Sequence, residues 1–357
     1  MCVTMLGTVV ARERADGQST AAVAAQPVPY RILVAAESED EVALVEFRPC
    51  AATRSVPACG ATVVRVYSVG VNPVEIEGPH GVVASRDGRS FYVSMAHGRP
   101  YGRLLRYDLA SGAMTGQAEL GMFPATIDLS PAGDLAYVVN FNFDDPAMQP
   151  SSLSIVDTET LEEVARTPTC RMPHGSRIAP GGMHHYSVCM MDDLLVEVDA
   201  RTAKVTRQLS LAGAASCSPT WVEPAVDGKT LWIACNGSSE AVIVDATGWR
   251  VRQRARTPAA PYNMAATPDG SLMIVTQKAP GTTTLWRTSD VTLVAEIKGS
   301  RRVASGVTVS ADSRFAFVTF EGKNADPGTV DVIDLATRAT VASVNVGKQA
   351  GGIAIVP

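Results

Sequence analysis

The sequence predicts an all-β protein folded as a seven-bladed β-propeller with four antiparallel strands per blade. A block of about 45 residues recurs along the chain, with anchor positions at residues 79, 124, 173, 219, 261, 304 and 350. Short β-type runs, some with period-2 alternation, lie between turns rich in Gly, Asp and Ser, which is the pattern of short strands. Four such strands in each repeat of this length are typical of a propeller blade.

Each block begins with an anchor and a β-type run that ends in a turn. Pro79–Gly88 and Pro124–Gly133 show the pattern, and a sixth copy, Ala304–Ser313, has lost both Pro and Gly. A second strand follows, as in residues 136–139, and a third ends in Asp before a turn, as in residues 155–157. A fourth alternates apolar and polar residues, as in 205–208. No 3.6-residue apolar period is sustained, so helices are expected to be minor.

The two ends of the chain predict how the ring closes. Residues 352–356 supply only a first strand, whereas residues 31–35, 42–46 and 63–67 supply a second, third and fourth. One blade is therefore expected to combine strands from both termini, which leaves no open sheet edge. Residues 1–29 are expected to be a flexible leader, and residues 30–357 a single propeller domain.

Composition excludes several classes of function. The 357 residues carry a net charge of −5, which argues against a nucleic-acid-binding surface or a polybasic membrane surface. No stretch of about 18 apolar residues is present, so a membrane span is not expected. The N-terminus lacks the basic segment of a signal peptide, which favours a soluble, cytoplasmic protein.

The seven cysteines form no CxxC motif, so neither a zinc knuckle nor a thioredoxin-type motif is supported. Reduced thiols are the favoured interpretation. The alternative is that Cys50 and Cys59, which flank one loop, pair in an oxidising compartment.

The repeat resembles that of the YVTN-repeat, YncE-like seven-bladed propellers. The residues that carry the resemblance are Pro79–Gly88, Phe91–Val93 and Val330–Thr337, and it covers about residues 30–357. It implies the fold but not one activity, because relatives of this architecture include binding proteins, haem- and copper-bearing propellers, quinoprotein subunits, lactonases and streptogramin lyases.

The start of strand one and the end of strand two of every blade are expected to surround one mouth of the central channel. Ligand sites in closed β folds are common at such a mouth. Three of the five histidines, His80, His97 and His174, fall at these positions. His97 and His174 are the candidate catalytic residues. The structural alternative for His80 and His174 is a ring that donates to the backbone of a neighbouring blade.

Two overlapping sets of residues are predicted at this mouth. Candidate ligand-binding residues are His80, His97, Asn140, Asn142, His174, Asn263 and Lys278. A divalent metal ion is the cofactor suggested by His80, His97 and His174 with Glu37 or Glu321, or with Asp192, because imidazole and carboxylate ligands suit Zn, Cu or Fe.

The loop at 140–152 is the largest irregular insertion at the mouth. Its Phe141 and Phe143 are predicted either to cover a ligand or to plug the channel. His184 and His185 are expected at the opposite end of the blade, on the surface or between blades.

Three functions remain open on the sequence. The first is a propeller that binds a small molecule or a protein at the mouth without chemistry of its own. The second is a metal-dependent lyase or hydrolase at the same mouth, with one histidine as general base. The third is a protein-interaction scaffold.

Overall fold

The computed structural model describes residues 1–2, 28–50, 60–98, 101–143, 151–322 and 324–357. The described residues form 28 strands in seven four-stranded antiparallel sheets and contain no helix, which confirms the predicted seven-bladed propeller. The innermost strands β4, β8, β12, β16, β20, β24 and β28 contact one another in turn around the centre. Their ring defines the central channel.

Every blade runs from an innermost strand at the channel to an outermost strand at the edge of the ring. Blade 1 consists of β28 (Ala350–Val356), β1 (Tyr30–Ala36), β2 (Glu41–Arg48) and β3 (Gly60–Ser68). Blade 2 consists of β4 (Pro79–Ala84), β5 (Ser90–Met95), β6 (Arg103–Asp108) and β7 (Met114–Glu119). Blade 3 consists of β8 (Pro124–Leu129), β9 (Leu135–Asn140), β10 (Ser152–Asp157) and β11 (Glu163–Pro168). Blade 4 consists of β12 (Pro173–Ile178), β13 (His184–Cys189), β14 (Leu194–Asp199) and β15 (Lys204–Ser210).

The remaining blades have the same order. Blade 5 consists of β16 (Pro219–Pro224), β17 (Thr230–Cys235), β18 (Glu240–Asp245) and β19 (Arg250–Arg256). Blade 6 consists of β20 (Pro261–Ala266), β21 (Leu272–Gln277), β22 (Thr282–Arg287) and β23 (Thr292–Lys298). Blade 7 consists of β24 (Val303–Val309), β25 (Phe315–Glu321), β26 (Gly328–Asp334) and β27 (Ala339–Val346).

The ring closes as the two chain ends predict. Strand β28 pairs antiparallel with β1, with Arg31 opposite Val356 and Leu33 opposite Ala354. Residues 3–27 of the predicted leader lie outside the described residues.

Burial explains why each strand has its own sequence pattern. The second strand of a blade packs on both faces against neighbouring blades, so β13 is buried at nearly every position. The fourth strand is an outer edge, and β15 alternates between exposed and half-buried residues. The hydrophobic core consequently lies between blades, as in the cluster that joins Tyr67 of blade 1 with Phe91 and Tyr107 of blade 2.

Glycine in the Pro-His-Gly anchors is required by the close approach of neighbouring inner strands. A Cβ atom on Gly81 would collide with the carbonyl oxygen of Ala125, and one on Gly175 with that of Thr220. The glycine therefore lets the inner strands close around a narrow channel.

The prediction of reduced thiols is wrong for four cysteines. Disulfides join Cys170 to Cys189 and Cys217 to Cys235, across sequence separations of 19 and 18 residues. In both, the segment before the anchor proline lies beside the last residue of the second strand, since Pro173 is opposite Cys189 and Pro219 opposite Cys235. Cys59, the predicted partner of Cys50, lies outside the described residues. No helix among the described residues is long and apolar enough to cross a membrane.

His185 lies between blades rather than on the surface. Its ring stacks on Tyr137 of blade 3 with 5.2 Å between ring centroids, and the side chain has no exposed area. Neither ring nitrogen has a hydrogen-bond partner. Burial, helped by the nearby charge of Arg177, lowers the pKa of His185 to about 3, so this ring is neutral.

Replacing His185 with phenylalanine is expected to stabilise the protein. The variant keeps the stacked ring and removes two buried polar atoms without partners, so we expect a gain of about 1–3 kcal/mol in the free energy of unfolding at pH 7. Through this residue, the free energy of unfolding of the wild-type protein should fall by up to about 1.4 kcal/mol per pH unit below about pH 6.5. The reason is that His185 binds a proton in the unfolded chain but not in the folded chain.

Urea denaturation at pH 7 and pH 5 measures both effects. The control is His184→Gln, which replaces the neighbouring, half-exposed histidine. A variant less stable than wild type, or with an unchanged loss of stability between the two pH values, would contradict this account.

Candidate functional site

The central channel widens at one end into a cavity of about 180 Å³ to which all seven blades contribute. A cavity needs roughly 10–15 Å³ to hold a single buried water, so this one is large enough for a small molecule. Apolar side chains, among them Val82, Ile127, Trp221 and Val307, form part of its wall. Its polar lining consists of Glu37, His80, Thr126, His174, Arg177, Tyr262, Asn263, Lys278, Ser305, Glu321 and Gln349.

Glu37 contacts three polar side chains on one side of the mouth. It directly follows β1, and its side chain is almost entirely buried. Its carboxylate lies 3.2 Å from Nδ1 of His80 and 2.8 Å from Nε2 of His97, and it accepts a hydrogen bond from Gln349 at 2.9 Å. Burial alone would raise the pKa of Glu37, but the charges and hydrogen bonds of the two histidines outweigh burial and hold the pKa well below its usual range.

His174 occupies the same repeat position as His80 but makes different bonds. Its Nδ1 lies 2.8 Å from the carbonyl oxygen of Thr220 in the next blade, and its Nε2 lies 3.3 Å from the hydroxyl of Tyr262. Burial lowers the pKa of His174 to about 3, so the ring is neutral. Nδ1 must then donate to the carbonyl, and Nε2 accepts from Tyr262. Both nitrogens of this candidate catalytic residue are therefore engaged, and the interblade bond matches the structural alternative.

Lys278, which directly follows β21 of blade 6, places a cation at the mouth. Its Nζ lies 3.0 Å from Oε1 of Glu321 and 4.2 Å from the centre of the Tyr262 ring. Burial lowers the pKa of Lys278, but Tyr262, Glu321 and Glu37 together outweigh burial, so the net pKa is raised. An ammonium group has three N–H donors, and Glu321 takes one of them.

Asn263 carries the clearest sign of an unmet hydrogen bond in the cavity. It is only 7% exposed and lines the cavity, and its backbone N–H donates to the hydroxyl of Thr276. Its side-chain Oδ1 is buried without any hydrogen-bond partner. Leaving such an acceptor unsatisfied costs roughly 1–3 kcal/mol.

Three aromatic side chains extend the site beyond the cavity, and we call Phe123, Phe141 and Phe143 the aromatic shelf. Phe141 and Phe143 stack with their centroids 5.7 Å apart, and Phe123 lies 5.5 Å from Phe141. The shelf adjoins both histidines, because Phe123 lies 5.6 Å from the His80 ring and Phe141 lies 5.2 Å from the His174 ring. Phe143 is 53% exposed, and residues 144–150 of the predicted covering loop lie outside the described residues.

The structure brings together four of the predicted ligand-binding residues, His80, His174, Asn263 and Lys278, around the cavity. His97 lies on the rim, where it contacts Glu37 and packs 5.0 Å from Phe123.

Two other predicted ligand-binding residues do not line the cavity. Asn140 is fully buried inside its blade, where Nδ2 donates to the hydroxyls of Ser152 and Ser154 at 3.0 and 2.8 Å. Asn142 lies outside the cavity lining, and its backbone N–H donates to Met122.

The residues predicted to hold a metal ion are engaged in separate interactions. Glu37 contacts His80 and His97, whereas Glu321 pairs with Lys278 and Asp192 with Arg171. Among the residues that the structure describes, no group of three or more His, Cys, Asp or Glu side chains is arranged to hold a metal ion.

Several cavity residues were not in the predicted set. Tyr262 and Ser305 occupy the anchor-plus-one register that carries His80, so the repeat itself could have identified them. Arg177 lies further along its inner strand, bonded to Glu223 at 3.0 Å and 4.4 Å over the ring of Trp221. Burial raises the pKa of Glu223, although Arg177 opposes the shift.

These features define the chain as a seven-bladed β-propeller with a polar central cavity beside an aromatic shelf. No family model and no curated protein sequence matches the chain, so the resemblance to the YVTN-repeat family is not confirmed.

Solved structures match the fold over most of its length. The periplasmic gluconolactonase PpgL of Pseudomonas aeruginosa is 16% identical, with a TM-score of 0.73 over 92% of this chain and 99% of that one. Hydrazine synthase of Kuenenia stuttgartiensis is 20% identical, with a TM-score of 0.66 over 81% and 94%. A functionally unknown protein from Desulfotomaculum acetoxidans is 12% identical, with a TM-score of 0.72 over 91% and 98%. At these identities the likeness shows the fold alone.

Proposed function

We propose that this propeller binds a small molecule at the cavity mouth, with a hydroxyl-bearing, uncharged part in the cavity and a planar apolar part on the aromatic shelf. The observation that carries the proposal is the cavity of about 180 Å³, in whose wall Asn263 and other polar side chains converge beside the aromatic shelf. A concave, preformed site with a few convergent polar groups is the usual form of a small-molecule site in proteins.

The charges around the cavity favour a neutral polar group. Each charged side chain has an opposite or proton-donating neighbour: Lys278 has Glu321, Arg177 has Glu223, and Glu37 has His80 and His97. A charged ligand would have to break one of these pairs, whereas hydroxyl groups need only hydrogen bonds. Phe143, the exposed ring of the shelf, supplies stacking area that suits a planar group.

Thermal-shift measurements with phenyl β-glucoside and 4-nitrobenzyl alcohol test this proposal, with glucose as the probe that lacks the planar part. A ligand at about 100 times its Kd should add about 2.7 kcal/mol to the stability of the wild-type protein. Asn263→Leu should be as stable as wild type or more so, because it removes the unsatisfied oxygen, yet it should lose most of the ligand-induced shift.

Asn345→Leu, at an exposed position on β27, is the matched control and should keep the full shift. No shift with any probe, or an undiminished shift in Asn263→Leu, would refute the proposal. A shift that is absent while a protein co-purifies stoichiometrically would favour the interaction scaffold instead.

We also infer that the protein works in an oxidising compartment rather than in the cytoplasm. The two disulfides at the mouth support this inference, because disulfides persist where thiols are not kept reduced. Labelling of free thiols in protein taken directly from cells tests it. Four protected cysteines at 170, 189, 217 and 235 are expected, and free thiols at these positions would contradict it.

A further inference from the structure

His80 and His174 occupy the same repeat position at the cavity, but their ring nitrogens have different hydrogen-bond partners. His174 uses Nδ1 on the backbone of Thr220 and Nε2 on Tyr262. His80 uses Nδ1 on the carboxylate of Glu37, and its Nε2 makes no hydrogen bond to any described residue. In the tautomer whose Nδ1–H is donated to the Glu37 carboxylate, the His80 ring, which lines the cavity, has a lone pair on Nε2.

A histidine oriented by a buried carboxylate is the arrangement that enzymes use to hold a general base in one tautomer. Glu37 is well placed for this role because Gln349 and His97 fix its carboxylate from two further directions. The side chain of His80 is 20% exposed, so water reaches it from the mouth.

We propose that His80 is a general base that activates water for hydrolysis of a carboxylic ester, with Glu37 as its positioning residue. The inference rests on the proposed function, since the ester would bind with its planar part on the aromatic shelf and its hydroxyl-bearing part in the cavity. Nε2 of His80 takes a proton from water as the water oxygen bonds to the acyl carbon. The carbon–oxygen bond to the leaving alcohol then breaks, and the His80 imidazolium returns the proton to that oxygen. One water is consumed, and one acid and one alcohol are formed.

Lys278 is the group that can stabilise the oxyanion of this step. The rings of His80 and His174 lie 5.9 Å apart, Tyr262 bonds to His174, and Lys278 lies over Tyr262, so these side chains follow one another around the mouth. The ammonium group of Lys278 supplies a charge-assisted donor at the mouth, beside Glu321 and Tyr262.

The local bonding favours water rather than a side chain as the nucleophile. The hydroxyl of Thr126 donates to the carbonyl oxygen of His174, and Ser305 makes no hydrogen bond to His80. Among the described residues no serine, threonine or cysteine is hydrogen-bonded to His80, as a nucleophile activated by this base would be.

Hydrolysis of the 4-nitrophenyl ester of hydroxyacetic acid, which has both the planar and the hydroxyl-bearing part, tests the proposal on the full chain through release of 4-nitrophenol, corrected for the blank. His80→Gln should lower kcat by about 10²- to 10⁴-fold, and added imidazole should restore part of the rate in His80→Ala. Glu37→Gln should also lower kcat and should change the pH profile of kcat, which loss of a merely structural contact would not do. His184→Gln, a half-exposed histidine away from the cavity, controls for hydrolysis by surface imidazoles and should retain the wild-type rate.

Binding of 4-nitrobenzyl alcohol, which cannot be hydrolysed, is measured on the same samples through tryptophan fluorescence, to which Trp221 in the cavity wall contributes. Binding without hydrolysis above the blank overturns the catalytic role and leaves the proposed function standing. Hydrolysis that His80→Gln retains also overturns the role of His80. Loss of both binding and hydrolysis in the wild-type protein overturns the two proposals together.

Discussion

Removal of the two disulfides is expected to cause one of the largest losses of stability available to this protein. Each closes a loop of nearly 20 residues between the segment before an inner strand and the end of the second strand. Loops of this length correspond to about 3 kcal/mol per disulfide. The paired variants Cys170→Ala/Cys189→Ala and Cys217→Ala/Cys235→Ala should therefore each lose about 3 kcal/mol in urea denaturation at pH 7.

The two losses should be nearly additive, because the disulfides lie in different blades. Cys2→Ser, at the exposed free cysteine, is the control and should unfold at the wild-type urea concentration. An equal denaturation midpoint for oxidised and fully reduced wild-type protein would show that the two bonds contribute no stability.

The fold could be predicted from the sequence because the spacing, the strand patterns and the turn residues all indicate the same four-stranded unit. The anchor proline, the alternating strands and the Asp-containing turns recur at nearly constant spacing, and each copy has few alternatives to a four-stranded blade. The closing blade was predictable for the same reason. The C-terminal copy supplies a single strand, and β28 pairs with β1 as the missing part requires.

The cavity could be predicted only in part, because a shift of one residue along a strand turns a side chain to the other face. Asn140 is the last residue of β9, in the register that Gln277 occupies in β21, and both side chains are buried inside their blades. Lys278 comes one residue later than Gln277, and it reaches the cavity. Phe141 is its counterpart in blade 3, which explains why the shelf, rather than Asn140, faces the mouth.

The disulfides were missed because cysteine pairing was judged from spacing along the chain. A separation of 18 or 19 residues has no local signature, unlike CxxC. The informative signal lies in the repeat: Cys189 and Cys235 end the second strands of adjacent blades, and each has a cysteine just before its own anchor proline. Pairing by blade register would have predicted both bonds.

Replacement of Glu37 with alanine is expected to destabilise the protein strongly and in a pH-dependent way. The change removes a buried carboxylate and leaves the donors of His80, His97 and Gln349 without their acceptor. Breaking a buried charged interaction from one side costs about 3–5 kcal/mol. We expect a loss of that size in the free energy of unfolding at pH 7, measured by urea denaturation, and a smaller loss for Glu37→Gln, which retains one acceptor oxygen.

The pH dependence follows from the pKa of Glu37, which the histidines hold below its usual range in the folded protein. A carboxyl group of this kind contributes its full stabilisation above its unfolded pKa of about 4.3 and loses it as the pH falls further. The difference between wild type and Glu37→Ala should therefore stay constant from pH 7 to pH 5 and shrink below about pH 4. Glu39→Ala, which removes a more exposed carboxylate paired with Lys348, is the matched control and should cost no more than about 1 kcal/mol. If Glu37→Ala is no less stable than this control, the Glu37 carboxylate does not stabilise the mouth. Its proposed role in positioning His80 would then have no support.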